Sequence, residues 1–264
     1  MVRLTLLASL VALFVGGLSA QTTPGSDPQA LTLAAQAITG MTGNSAISDV
    51  TLLANTSRTA GSDLETGTAT LSAKGRTESR LDLSLSGGNR SEIRNNASDG
   101  MPQGVQKADG STSRASAFHN CWTDASWFFP PLSALAATSD PTLIFSYIGQ
   151  ESRWGTSVQH IRVSRYLAGR KPGVITPVLR LSTMHFYLDS ASLLPLGVAF
   201  YTHPEDNADQ DIFVQIRFSD YQVVQGVKLP MHIQKFISGG LALDIAVTSA
   251  TLNSGLPDSV FSVQ

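Results

Sequence analysis

His119-Asn120-Cys121 places an imidazole two residues from the chain's single thiol. A thiolate activated by a neighbouring imidazole is a nucleophile, so these residues would serve a Cys/His hydrolase. The alternative is a buried structural thiol beside an aromatic cluster. A zinc site needs three or four convergent ligands, and the surrounding sequence supplies no others. The stretch 203–211 gathers Glu205, Asp206, Asp209 and Asp211 in one loop. Oxygen ligands at alternating positions suit calcium, yet the loop lacks the glycine and the terminal glutamate of an EF-hand, and a solvated hairpin tip explains it as well. His160, His185 and His232 lie within strand patterns and read as surface or cross-strand residues. The sequence contains no G-x-S-x-G, H-E-x-x-H, G-x-G-x-x-G, P-loop or C-x-x-C motif. The expectation is a non-enzyme with no metal and no cofactor.

The elements that would position these residues are mostly strands. Asp27 as N-cap, Pro28 at the first helical position and Gly40 as a stop predict one helix, with Leu31, Ala34, Ala35 and Ile38 on a shared face. From about Ile47 the period switches to two. Leu81, Leu83 and Leu85 alternate with Asp82, Ser84 and Ser86, and Ile212, Val214, Ile216 and Phe218 alternate with polar residues. Such half-buried strands belong to antiparallel sheets. Glycine turns at Gly61, Gly75, Gly87-Gly88, Gly110, Gly155, Gly226 and Gly239-Gly240 divide them into ten to eleven strands in meander order. Two stretches stand apart: 120–139, read as a helix or two with a proline break, and 169–177, read as a Pro/Gly loop. Trp122, Trp127, Phe128 and Phe129 crowd into the first, with Phe118 just before it, followed by Leu132, Leu135 and Ala136 at helical spacing. They serve either as core or as a lid over a curled, unclosed sheet.

Residues 1–20 have Arg3, an apolar run from Leu4 to Val15 and a small-residue end, which is the pattern of a signal peptide too short to span a bilayer. The remainder, 21–264, is expected to be one domain without a transmembrane anchor, free in the periplasm or secreted. Without the leader, 17 Lys and Arg face 20 Asp and Glu, a formal charge of −3 with the arginines scattered, so no nucleic acid is expected as partner. With one cysteine no internal disulfide forms, and stability must come from a buried core. Sequons stand at Asn55, Asn89 and Asn96.

Phe186-Tyr187-Leu188-Asp189 leads to Leu194-Pro195, followed by Phe218-Ser219-Asp220-Tyr221, Gly226-Val227-Lys228-Leu229-Pro230, Leu252-Asn253, Pro257-Asp258 and Phe261. On these residues the C-terminal third resembles the periplasmic lipoprotein carriers, the LolA-like and outer-membrane lipoprotein-sorting proteins. The N-terminal helix and long meander extend the resemblance over the whole chain, which is longer than a typical carrier. The resemblance implies an open antiparallel half-barrel with an N-terminal helix and a short central helical lid. It also implies a concave face that holds the acyl chains of a lipid or a lipidated protein without a cofactor. Arg58, Arg80 and Arg94 compete for the inner-strand arginine that carriers use. Burial is worth ~0.8 kcal/mol per methylene, so one chain supplies useful affinity without polar contacts. The residues expected to form the cavity and lid are Leu71, Leu83, Leu85, Trp122, Trp127, Phe128, Phe129, Leu132 and Leu135. An envelope sensor or scaffold of the same fold that binds a protein partner is the rival reading, and the Cys/His hydrolase is the second.

Overall fold

The computed structural model describes residues 24–43 and 45–263. The leader read in residues 1–20 lies outside the described residues. Helix α1 (Pro28–Thr42) starts where expected, the Asp27 carboxylate accepting the Gln29 N–H at 2.8 Å. It ends later: Gly40 lies within it, and Gly43, at φ 61°, closes it by donating its N–H to Thr39 O. The buried face is also turned from the expected one. Ala30, Ala34, Ala37 and Met41 are buried while Ala35 is exposed, because the smallest side chains let the helix lie close against the sheet.

β1 (Asp49–Ala60), β2 (Asp63–Lys74), β3 (Glu78–Leu85), β4 (Gly88–Asn96), β5 (Pro102–Ala108) and β6 (Arg114–Ala115) make one antiparallel meander. β7 (Leu143–Arg153), β8 (Thr156–Arg165), β9 (Met184–Asp189), β10 (Pro195–Thr202), β11 (Ile212–Val224), β12 (Val227–Ile237) and β13 (Gly240–Leu252) make a second. β13 then pairs with β1, so all thirteen lie in one open sheet whose edges are β6 and β7. Thirteen exceeds the ten or eleven predicted. β6 is only two residues long, and β4 and β5 do not alternate apolar with polar, so hydropathy periodicity undercounts them.

The sheet must curl. The Asp124 carbonyl accepts from Arg94 on β4, and its N–H meets the Met184 sulfur on β9 at 3.3 Å. β4 and β9 stand eight places apart in the sheet order, which in a flat sheet at ~4.8 Å per strand is about 38 Å. One residue touching both requires a half-barrel. Gly67 on β2 assists the bend: a Cβ there would lie 1.9 Å from the Ser84 carbonyl oxygen, so only glycine admits the neighbouring strand.

Between the two free edges the chain crosses the concave mouth. The expected helix or two with a proline break is present as short 3₁₀ turns at Phe118–Cys121, Pro130–Leu132 and Ala134–Ala136, because Pro130-Pro131 and the extended Ser133 (φ −87°, ψ 178°) interrupt any longer helix. The 169–177 stretch is also corrected: α2 (Pro172–Leu181) runs through it, with Pro177 inside. Ile175, Val178 and Leu181 fall on one face, and Trp122 packs with Val178 and Leu181. This anchoring outweighs the cost of the proline. No helix among the described residues is long and apolar enough to cross a membrane.

Candidate functional site

The concave face divides into two halves of different chemistry. From β7 through β13 its inner positions are apolar except for Lys235 on β12: Phe145, Ile161, Phe186, Val198, Ile216, Ile233 and Ile245 are all buried. The expected cavity residues Leu71, Leu83, Leu85, Trp127, Phe128, Phe129, Leu132 and Leu135 join that same apolar core, with α1 packed onto it. Trp122 sits apart against α2. Phe128, Phe129, Leu71 and Leu135 are 0 or 1% exposed, so the crossing fills most of the hollow with the protein's own side chains.

The other half carries charge inward. On β4 the residues facing the hollow are Arg90, Glu92 and Arg94, cross-strand from Leu83, Leu81 and Ser79. Glu65 on β2 accepts from Arg58 Nη1 at 3.0 Å and from Arg90 Nη2 at 3.1 Å. The bond from Arg90, more than that from Arg58, holds the Glu65 carboxyl below its usual pKa. Arg90 Nε is buried without a partner. Here an open trough of about 610 Å³ remains, floored by Leu81, Leu83 and Ala108 and rimmed by Arg58, Arg90, Lys107 and Arg114. Of the expected cavity residues, Leu83 lines this trough. Trp127 lines an inner cavity of about 230 Å³, and Trp122 lines a third of about 220 Å³.

Arg94 ties the two halves together. Its guanidinium is buried and donates to three carbonyls of the crossing, Cys121 and Thr123 at 2.7 Å and Asp124 at 3.2 Å. Carbonyl oxygens at a strand-free turn have no ladder partner, and a fixed fork of donors satisfies several at once. Among the three rival arginines, Arg94 and Arg58 face inward, whereas Arg80 turns to the convex side and pairs with Asp82 at 2.7 Å. Below the clasp the Asp124 carboxylate accepts the Ala134 N–H at 2.6 Å, and its burial pushes its pKa up against the pull of Arg76.

The nucleophile candidates are not assembled for catalysis. The Cys121 sulfur contacts the Ala117 carbonyl at 3.6 Å, while His119 Nε2 lies 2.9 Å from Pro204 O. Burial raises the Cys121 thiol pKa, which keeps it protonated. The acidic loop 203–211 holds an arginine. Arg180 of α2 reaches Asp211 at 3.0 Å, Asp209 at 3.5 Å and the Ala208 carbonyl at 2.6 Å. His160 and His185 form a cross-strand pair on the convex face at 2.7 Å, and His232 meets Asp244 at 2.9 Å.

Sequence reasoning missed the inward charges. Arg90, Glu92 and Arg94 recur at a period of two, which was the available signal, but their phase is inverted: Ser91 and Ile93 face outward.

The folding pattern recurs in solved structures. A DUF1329 family protein from Desulfovibrio piger aligns with a TM-score of 0.55 at 13% identity, over 90% of this chain and 98% of its own. An outer membrane lipoprotein-sorting protein domain from Vibrio parahaemolyticus aligns at 0.52 and 12%, over 88% and 96%. A LolA superfamily protein from Nitrosomonas europaea aligns at 0.50 and 12%, over 89% and 97%. The chain therefore has the open half-barrel fold of LolA-like proteins. No protein-family model matches the sequence, and no curated protein does.

Proposed function

We propose that the protein is a non-catalytic binder or carrier of the bacterial envelope, exported by its leader to the periplasm, that holds acyl chains of a lipid or a lipidated protein against the concave face. The observation that carries this reading is the open trough of about 610 Å³ beside the clasped crossing. That volume lies within the ~300–1,000 Å³ of ligand sites, and its floor is apolar. The guest first lies on Leu81 and Leu83. Displacing Trp127, Phe128, Phe129, Leu132 and Leu135 then extends the apolar surface inward over Leu71 and Leu85, and Trp122, packed against α2, forms the hinge side of the lid. The Arg94 bonds resist this opening, and the guest's burial offsets their loss.

The test is to extract purified protein with organic solvent, analyse the extract by mass spectrometry, and titrate the stripped protein with a fluorescent fatty acid. Stoichiometric acyl lipid and micromolar binding are expected. A clean extract together with no binding would rule the reading out. A protein-binding scaffold is favoured by one feature: β7 is a free edge, with Ile148 48% exposed. Recovery of a partner in pull-down, with no lipid, would support that reading.

A further inference from the structure

The trough shares the walls Glu92 and Gln106 with the inner cavity of about 230 Å³, which lies between β4–β5 and β10–β12 beneath the crossing. Trp127, Phe200, Val214 and Ile237 give this chamber an apolar wall, while Glu92, Arg94, His203, Glu205 and Lys235 bring titratable or charged groups to it. Lys235 lies on the inner face of β12, cross-strand from Ile216 and Leu243, where an aliphatic residue would pack at no electrostatic cost. Its Nζ stands 4.9 Å from the Trp127 ring centroid. The charges that act on it are Glu92, which attracts, and Arg94, which repels; neither is within hydrogen-bonding distance, and burial lowers its pKa from the usual lysine value. Three of the Arg94 donors are committed to carbonyls of the crossing. Glu92 has no ion-pair or hydrogen-bond partner among the described residues. An ammonium and a carboxylate thus face one small chamber without meeting. Both side chains are half-buried, so their charged ends stay accessible to a guest that enters the chamber and can complete each with the opposite charge.

We infer that this chamber binds the zwitterionic headgroup of a single-chain lipid, its anionic group at Lys235 and its cationic group at Glu92, with the tail leaving along the trough over Leu81 and Leu83. The inference rests on the acyl-binding reading and adds the headgroup class to it. A phosphoethanolamine headgroup has this chemistry: phosphate oxygens accept from the Lys235 ammonium, and the primary ammonium donates to the Glu92 carboxylate. A headgroup with only the anion would leave Glu92 opposed to it, and a neutral one would leave both residues unpaired.

The experiment titrates the full chain calorimetrically with lysophosphatidylethanolamine, lysophosphatidate and monoacylglycerol of equal chain length, below their micelle concentrations. The zwitterion is expected to bind about tenfold more tightly than either of the others, the contribution of about one charge-assisted hydrogen bond. Glu92→Gln should bring it down to the level of lysophosphatidate without weakening lysophosphatidate itself. Lys235→Gln should weaken both phosphate lipids and spare the monoacylglycerol; if that variant misfolds, Lys235→Met takes its place. Equal binding of all three lipids, or a substitution that weakens all three alike, overturns the headgroup assignment while leaving acyl binding intact. If none of the three binds, the acyl-binding reading falls as well.

Discussion

The β7–β13 half of the concave face and the β1–β5 half are built from the same kind of antiparallel hairpin, yet only the first is a conventional core. Its inner residues pack with α1 and the aromatic crossing so that Phe129 and Leu135 are fully buried. The second keeps a row of arginines and glutamates inward and leaves a trough open. The contrast teaches that stability and openness are assigned to different strands of one sheet. Close packing on one side compensates for charge and vacancy on the other.

The largest effect should come from the packed half. Phe129→Ala removes a side chain that is 0% exposed, and denaturant unfolding should show a loss of ~3–5 kcal/mol; a loss below 1 kcal/mol would mean that the crossing is not part of the core. Next comes the seam. Arg94→Met leaves three carbonyls without their donor, at ~2–3 kcal/mol, and should release the crossing. Cys121 is a built-in reporter of that release, since its buried thiol should alkylate much faster in the variant than in the parent. An unchanged alkylation rate would show that Arg94 does not hold the lid.

In the open half, Glu65→Gln should barely move the melting temperature while altering acyl-lipid affinity, because its partners Arg58 and Arg90 rim the trough. A change in stability with no change in affinity would erase the distinction between the halves. The smallest effect concerns pH. Burial, reinforced by the neighbouring His160, lowers the His185 pKa to about 4. A histidine held neutral in the fold contributes stability that is complete above its ordinary value near 6.5 and declines as pH falls from there towards about 4. His185 should therefore remain neutral at pH 5 by NMR titration, with a modest fall in melting temperature between pH 6.5 and 4.5. An ordinary titration near 6.5 would contradict the buried pairing.

The packed half was the legible one. Ile212, Val214, Ile216 and Phe218 alternate with polar neighbours because one side meets the core and the other meets water, and Asp27-Pro28 marks a helix start by its own bonding. The open half was obscured because alternation was read on the assumption that the inner side is the apolar side. On β4 that assumption inverts, with Arg90, Glu92 and Arg94 inward and Ile93 outward. Lys235, between Gln234 and Phe236, is hidden in the same way. α2 was obscured by Pro172, Gly173 and Pro177, whose turn-forming character is overridden by the contact of Val178 and Leu181 with Trp122. The clasp joins residues 94 and 121–124, a tertiary pairing that no local pattern encodes.

The pairing of β1 with β13 brings Val50 opposite Leu252, some two hundred positions along the chain. Each meander can form from neighbouring hairpins, but the seam between them waits for the final strand. Until β13 arrives, β1 presents an unpaired edge bearing Val50 and Leu52, the kind of surface that recruits other chains. Long-range pairing of this kind slows folding to the millisecond-to-second range. Newly made polypeptide therefore passes through an interval in which it is sticky, and a chaperone that shields β1 would raise the yield of folded protein without touching the finished molecule.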